Sequence, residues 1–144
     1  MADQPANELL NRLAGRAYRS LLQYAVECWP WTDASTAAEQ QAIEQLAARQ
    51  QSFVGRLVDL LAERGQTIDL GNFPDNSELH YVSVDYLVQK LIADEQNLVA
   101  DLESAQGTLH GDPPAARLVS DLLAAEQANI ARLKELNAKP VLIT

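Results

Sequence analysis

The segment LLAAEQANIARL, residues 122–133, has the apolar spacing of a helix, but a carboxylate falls on its apolar stripe. Glu126 stands where a hydrophobic side chain belongs, and Asn129 follows three residues later on the same helical face. Glu95 takes the same kind of position between two leucines of an earlier segment. Two carboxylates turned inward can bind metal ions, hold a proton or neutralise a buried cation, so this pair is the main candidate for chemistry.

Four helices are predicted to position these side chains. Apolar residues recur with helical spacing over residues 7–29, 36–64, 84–109 and 113–137. Glu95 falls in the third predicted helix, and Glu126 and Asn129 fall in the fourth. The connection between the first and second helices is short, and so is the one between the third and fourth. We therefore predict that the two helices of each pair are antiparallel neighbours.

Residues 65–83 join the second and third helices and show no helical period. The second helix is about 43 Å long, and an extended chain of this connection's length spans up to about 60 Å. The connection can therefore run the full length of the molecule. We predict a single all-α domain over residues 1–144, a four-helix up-down-down-up bundle with one long crossover.

The sequence resembles a known family in the first, third and fourth predicted helices and at the end of the second. NRLAGRAYRSLLQY, residues 11–24, is similar to a bacterioferritin segment of the form N-x-L-x-G-x-E-x(5)-QY, and residues 50–65 have the pattern that closes that family's second helix. Glu95 lies where the family places a carboxylate, and EQAN, residues 126–129, stands where it has Glu-x-x-His. The chain thus resembles the ferritin-like superfamily over nearly its whole length.

The resemblance implies a di-iron centre with six ligands, of which this sequence keeps two, Glu95 and Glu126. The other four ligand positions carry residues that do not match the family's pattern: Ala17, Arg49, Ser52 and Asn129. An arginine within such a site would also repel a metal cation. We therefore expect no metal, no catalytic residue and a degenerate site in which the two glutamates are vestigial.

Arg49 is predicted to bridge Glu95 and Glu126 as a fixed internal cation, in the space that Ala17 leaves open. The planar guanidinium can serve two carboxylates and does not deprotonate. Gln50 is the alternative occupant, because the register of the second helix is open by one residue. A further alternative places both glutamates at the edge of the core, where they reach solvent.

The composition excludes several classes of function. The chain has 20 acidic and 11 basic residues and a net charge of −9, which argues against nucleic acids and anionic membranes as partners. No apolar run reaches the ~20 residues of a membrane span, and the first ten residues are polar and acidic, unlike a signal peptide. Because the single cysteine, Cys28, cannot form an intramolecular disulfide, we expect a cytoplasmic protein with Cys28 as a core thiol.

Haem and histidine ligation are not expected either. Met1 is the only methionine, so the resemblance does not extend to the haem that bacterioferritins hold on a methionine between subunits. His80 falls in the crossover and His110 at the end of the third helix, and neither has a glutamate at helical spacing. Surface or capping roles are predicted for both.

The first helix has an apolar surface wider than one stripe, and its width predicts a second buried face. The additional apolar positions are Tyr18, Leu22, Ala25, Val26 and Trp29. We interpret them as a homodimer interface along the first and second helices, an arrangement common in the family that the sequence resembles.

These observations favour a ferritin-like protein without a functional di-iron centre, acting as a non-catalytic interaction or structural protein. One alternative is a degenerate metal-binding protein or oxidoreductase that retains iron or manganese at Glu95 and Glu126. Another is a binder of a small apolar ligand in a closed cavity near Ala17, in the space that the metal ions vacated.

Overall fold

A computed structural model describes residues 4–31 and 34–137, and within these ranges every regular element is helical. The α-helices are α1 Gln4–Tyr18, α2 Leu21–Glu27, α3 Ala37–Glu63, α4 Val84–Thr108 and α5 Pro113–Asn137, and two short 3₁₀ helices cover Ala34–Thr36 and Ser77–Tyr81. The predicted all-α class is confirmed. Met1, on which the expectation of no haem rests, lies outside the described residues, as do residues 138–144.

The first predicted helix is interrupted, so the expectation of one helix over residues 7–29 is wrong. Ser20 adopts an extended conformation (φ −62°, ψ 157°) and caps α2, its hydroxyl oxygen accepting from the Gln23 backbone N–H. Asp94 of α4 accepts a second backbone bond, from Leu21 N at 2.9 Å. The break exists because a polar capping residue sits inside the apolar stripe and finds partners for the freed backbone groups.

The start of α1, the end of α3 and the start of α5 meet at one end of the molecule. Arg64 follows α3 and donates two bonds of 2.8 Å to the carboxylate of Asp112, the residue before α5. The same guanidinium donates to Asn7 Oδ1 of α1 at 2.9 Å. Gly65 then turns the chain with φ +69°, a left-handed conformation that favours glycine at a helix end.

The end of α2 meets the connection before α4 at the other end. Trp29 stacks edge-on against Trp31, with ring centroids 4.6 Å apart, and its indole N–H donates to Leu79 O at 2.7 Å. A cleft beside these rings is lined by Thr36, which precedes α3, and by Val84, the first residue of α4. Buried aromatic and apolar side chains thus join three chain segments here.

Taken together, α1 and α2 form one of four long helical segments, and these four segments contact one another in a ring. Helices α1 and α2 pack against α3 and α4, and α5 packs against the same two helices. Two apolar clusters fill the interior. One includes Leu10, Leu57, Leu102 and Leu122, and the other includes Leu22, Ile43, Leu91 and Leu133. Helices α3, α4 and α5 each contribute to both clusters, whereas α1 contributes to the first and α2 to the second, so the residues between these contributions form a common layer in the middle of the molecule.

The connection between α3 and α4 packs on the outer face of α1 and α2. Phe73 stacks on Tyr18 and meets Tyr24 edge-on, and Tyr24 Oη lies 2.9 Å from His80 Nε2. Asn11 exchanges two bonds of 3.1 Å with the backbone of Asp69. The chain itself therefore covers much of the additional apolar surface of the first predicted helix, while Tyr18 and Val26 stay partly exposed.

This packing changes the basis of the dimer prediction. Leu22, Ala25 and Trp29 are buried within one chain, so their apolar character needs no second copy to explain it. The homodimer remains a prediction without this support. Cys28 is exposed rather than buried, so its predicted role as a core thiol is wrong. It is the residue that follows α2 and belongs to neither apolar cluster.

None of the helices in the described ranges is both long enough and apolar enough to cross a membrane.

Replacing Arg64 with alanine tests the junction of α1, α3 and α5. The ion pair with Asp112 has side-chain exposures of only 19% and 12%, so the variant leaves a largely buried carboxylate without its cation. We expect the free energy of unfolding, measured by urea denaturation at pH 7, to fall by about 1–3 kcal/mol. Arg132→Ala removes an exposed pair within α5 and serves as the control, with a change below about 0.5 kcal/mol. Equal effects of the two variants would show that the junction contributes no more than a surface ion pair.

Candidate functional site

A layer of polar side chains lies between the two apolar clusters. On α3 it falls between Ala47 and Val54, and on α4 between Leu91 and Leu98. Its members are buried at 0% to 8% relative exposure: Ser20, Gln23, Gln50, Glu95, Glu126 and Asn129. Every one of the four long helical segments contributes to this layer. The prediction that Glu95 and Glu126 are inward-facing is confirmed, and the alternative at the solvent edge is wrong.

Gln50, and not Arg49, joins the two carboxylates. Its amide nitrogen donates to Glu95 Oε1 at 3.0 Å and to Glu126 Oε2 at 2.6 Å. Arg49 is exposed, so its predicted role as the bridging cation is wrong. One residue corresponds to about 100° of helical rotation, enough to exchange the buried position of Gln50 for the exposed one of Arg49. The alternative occupant left open by the sequence is the correct one.

The other side of the Gln50 amide is held by α2. Its oxygen accepts from Ser20 Oγ at 2.7 Å and from Gln23 Nε2 at 2.9 Å. Gln23 Nε2 also donates to Ala47 O at 2.8 Å. Carboxylates accept and hydroxyl and amide N–H groups donate, so these partners fix which end of the Gln50 amide faces the glutamates. The amide uses both donors and its acceptor, which is what a buried polar group requires.

Asn129 extends the network toward the surface. Its amide nitrogen donates to Glu126 Oε1 at 2.8 Å, and its oxygen accepts a long bond of 3.4 Å from Arg49 Nη1. Glu126 therefore receives one donor on each oxygen, from Gln50 and Asn129. Arg49 touches the site only through Asn129 and adds no charge between the two glutamates.

Burial and mutual repulsion change the protonation of the pair. Burial raises the pKa of Glu95 well above its usual value, with the negative charge of Glu126 and a hydrogen bond between the two carboxyl groups as further causes. Burial also raises the pKa of Glu126, but bonds from Glu95, Gln50 and Asn129 act against this rise. We therefore expect the pair to keep one proton to a higher pH than an ordinary glutamate would, with Glu95 as the residue that carries it.

The hydrogen bonds agree with this assignment. Oε2 of Glu95 is buried and has no other hydrogen-bond partner among the described residues. It is the oxygen left to carry the proton, since Oε1 already accepts from Gln50. The positive charge of Arg16 also lowers the pKa of Glu126, but Arg16 is itself paired with Asp94 at 3.1 Å. No guanidinium enters the space between the two carboxyl groups.

The residues present do not suit a di-iron centre. Ala17 is wholly buried in the apolar core and Ser52 is exposed, so neither supplies a ligand. The N–H groups of Gln50 point at the carboxylate oxygens that a metal ion would need as ligands. An N–H donor cannot itself coordinate a cation. Across the part of the chain that the structure describes, no group of three His, Cys, Asp or Glu side chains is placed to hold a metal ion.

Sequence reasoning missed two members of the layer, Ser20 and Gln23. Both lie in the segment that was predicted to be a continuous helix. The spacing S-L-L-Q, residues 20–23, is the pattern of a helix-capping box and was the available signal for the break. In the fold, Ser20 makes the capping bond, and the Gln23 side chain turns to Gln50 instead of closing the box.

Comparison with known proteins adds no relative at this point. No protein-family model matches the chain, no curated protein does, and no solved structure does.

Gln50→Ala tests whether the amide organises the polar layer. The variant removes every bond that Gln50 makes and leaves four buried polar side chains short of a partner. We expect the free energy of unfolding to fall by about 2–4 kcal/mol in urea denaturation at pH 7. Gln51→Ala is the matched control, since it makes the same chemical change one position along on an exposed side chain, with an expected effect below about 0.5 kcal/mol. A loss in Gln50→Ala no larger than that of the control would contradict the assigned network.

Glu95→Gln tests the shared proton through the pH dependence of stability. A carboxyl group whose pKa is higher in the folded than in the unfolded state makes folding take up a proton. The stability of the unmodified protein should therefore fall as the pH rises from the unfolded value, near 4.5, toward the raised folded value. The glutamine amide mimics the protonated acid, with an oxygen for Gln50 and an N–H for Glu126. We expect this part of the pH dependence to disappear in the variant, measured as urea midpoints between acid and mildly alkaline pH. A variant whose stability falls in parallel with that of the parent would show that Glu95 does not hold the proton.

Proposed function

We propose that the chain adopts a ferritin-like four-helix up-down-down-up arrangement. In this proposal α1 and α2 together form the first helix, and residues 64–83 form the long crossover. Three observations support it. The helices contact one another in a ring, Arg64 joins the start of α1 to the start of α5, and the crossover packs along the outer face of α1 and α2.

We further propose that the protein is non-catalytic, a structural or interaction protein that uses this fold without its metal chemistry. The observation that supports this proposal most strongly is the Gln50 amide, which donates to Glu95 and Glu126 at 3.0 and 2.6 Å. In this proposal an amide and one proton stabilise the two buried carboxyl groups, as a pair of metal ions would in a di-iron centre. A fold does not determine an activity, because activity depends on the groups in the site.

The chemistry of the layer supports this proposal. Gln50, Gln23 and Asn129 are amides, which neither ionise nor act as nucleophiles under ordinary conditions. Glu126 is held by two donors, and Glu95 is fully buried, with no exposure through which a substrate could reach it. A closed, satisfied polar layer stabilises one arrangement of the helices and offers no open coordination position.

The alternative of an apolar ligand inside the helices has less support. Ala17, where such a cavity was expected, is wholly buried and packs in the apolar cluster with Leu13 and Val54. Ala17 does not line the main surface clefts in the described part of the chain.

Metal binding is the sharpest test of the proposal. We expect protein purified without chelator, titrated with Fe(II) or Mn(II) and desalted, to hold far less than one metal ion per chain by mass spectrometry. The matched gain-of-function variant is Gln50→Glu with Asn129→His, which brings three carboxylates and an imidazole into the layer. That set suits iron or manganese, and we expect the variant to retain metal.

Metal content of the unmodified chain and of the variants distinguishes the proposal from the metal-binding alternative. Stoichiometric metal on the unmodified chain, lost in Glu95→Gln/Glu126→Gln, would overturn the proposal and establish the metal-binding alternative. Absence of metal from both the unmodified chain and the gain-of-function variant would contradict the idea that residues 50 and 129 are what exclude the metal. A circular dichroism spectrum of each variant verifies that the comparison is made on helical protein.

A further inference from the structure

A surface groove between α1 and α4 combines guanidinium groups with an apolar floor. It has a volume of about 630 Å³, within the range of small-molecule sites. Its floor is formed by Leu9, Leu13 and Ala105, the last two almost fully buried. Three arginines stand along its α1 side, and the polar layer of the interior does not contribute to it.

The three arginines share one face of α1 and of the turn that follows. Arg12, Arg16 and Arg19 are spaced four and three residues apart, which places them along one helical stripe. This clustering is unusual in a chain whose 20 acidic residues outnumber its 11 basic ones. The acidic lining residues are Glu8 and Asp101. Asp94 pairs with Arg16 beside the groove, so what distinguishes the three arginines is which of them lack a carboxylate partner.

Two of these guanidinium groups have no carboxylate partner among the described residues. Arg16 is paired with Asp94 at 3.1 Å and lies 3.9 Å from Asp101. Arg12 is exposed and makes no ion pair or hydrogen bond within the described ranges. Arg19 bonds only to a backbone oxygen there, Leu70 O, at 2.7 Å. Arg12 and Arg19 are therefore the guanidinium groups of the groove that are left to bind an anion.

Arg19 is held in place by a close approach to the crossover. Gly71 adopts φ +73°, and a Cβ atom at that position would lie 2.9 Å from Arg19 Nε. The absence of a side chain at residue 71 thus lets the guanidinium lie against the backbone of the crossover. Its position is fixed before any ligand arrives, which lowers the entropy that binding would cost.

We propose that this groove binds an amphipathic organic monoanion, with a carboxylate head group between Arg12 and Arg19 and a short aliphatic chain along Leu9, Leu13 and Ala105. Guanidinium groups match carboxylate oxygens in geometry as well as in charge. A single negative charge is repelled less by Glu8 and Asp101 than the two charges of a phosphate would be. The apolar floor accounts for the rest of the ligand.

Sodium octanoate is the probe, followed by ¹H–¹⁵N NMR titration of the full chain. We expect chemical-shift changes that saturate and that centre on the amides of Leu13 and Ala105 and on the Arg19 side-chain N–H. Octylammonium carries the same chain with the opposite charge, and inorganic phosphate carries the anion without the chain. Both should bind more weakly than octanoate.

Arg12→Gln is the decisive variant because Arg12 makes no contact that the fold needs. We expect the Kd for octanoate to rise at least about fivefold, the size of one lost charge-assisted bond. Arg132→Gln removes the same charge from α5 and should leave the Kd unchanged. Each of three results would overturn the proposal: no saturable binding of octanoate, an equal Kd for octylammonium, or equal Kd values for Arg12→Gln and the unmodified chain.

Discussion

The hydrogen bonds from the Gln50 amide to Glu95 and Glu126 are the constraint on which the arrangement of the helices depends. Two carboxyl groups at the centre of a small protein are costly unless each oxygen has a donor or a proton. Gln50 supplies one donor to each, Asn129 supplies another to Glu126, and the shared proton accounts for the remaining oxygen of Glu95. The rest of the layer follows from that arrangement.

The break between α1 and α2 is part of the same solution. The Gln50 oxygen faces away from the glutamates and needs donors, which Ser20 and Gln23 provide. A continuous helix would keep the Ser20 backbone helical, and the hydroxyl would then not cap α2 while reaching Gln50. Asp94 accepts the freed Leu21 N–H and also holds Arg16. A local loss of helix is thereby compensated by side chains from α3 and α4.

The sequence was sufficient to predict the all-α class, the extent of three helices and the burial of the two glutamates. Long periodic segments with clear stops gave the bounds of α3, α4 and α5, which the structure places within one residue of the expected positions. Glu95 and Glu126 were predicted to be buried because each interrupts an apolar stripe. That inference needs only helical period, which is the most reliable signal in a sequence.

Three features depended on contacts between distant segments and were missed for that reason. Arg49 and Gln50 differ by one helical position, and only packing against α5 decides which one is buried. The apolar width of the first helix predicts a second buried face, but the sequence alone does not show that Phe73 of the crossover packs against Tyr18 on that surface. The break at Ser20 carried a capping pattern, but the apolar period on both sides of it favoured a continuous helix.

The protonation of the two glutamates tests the central claim most directly. Protein labelled with ¹³C at the glutamate carboxyl carbons can be followed by NMR as the pH is raised from acid to neutral. The account predicts that one carboxyl group remains protonated at pH 7 and that its signal is missing in Glu95→Gln. If every glutamate carboxyl instead titrates near the ordinary value of about 4.3, the pair holds no proton, and the account of a closed layer with one shared proton is contradicted.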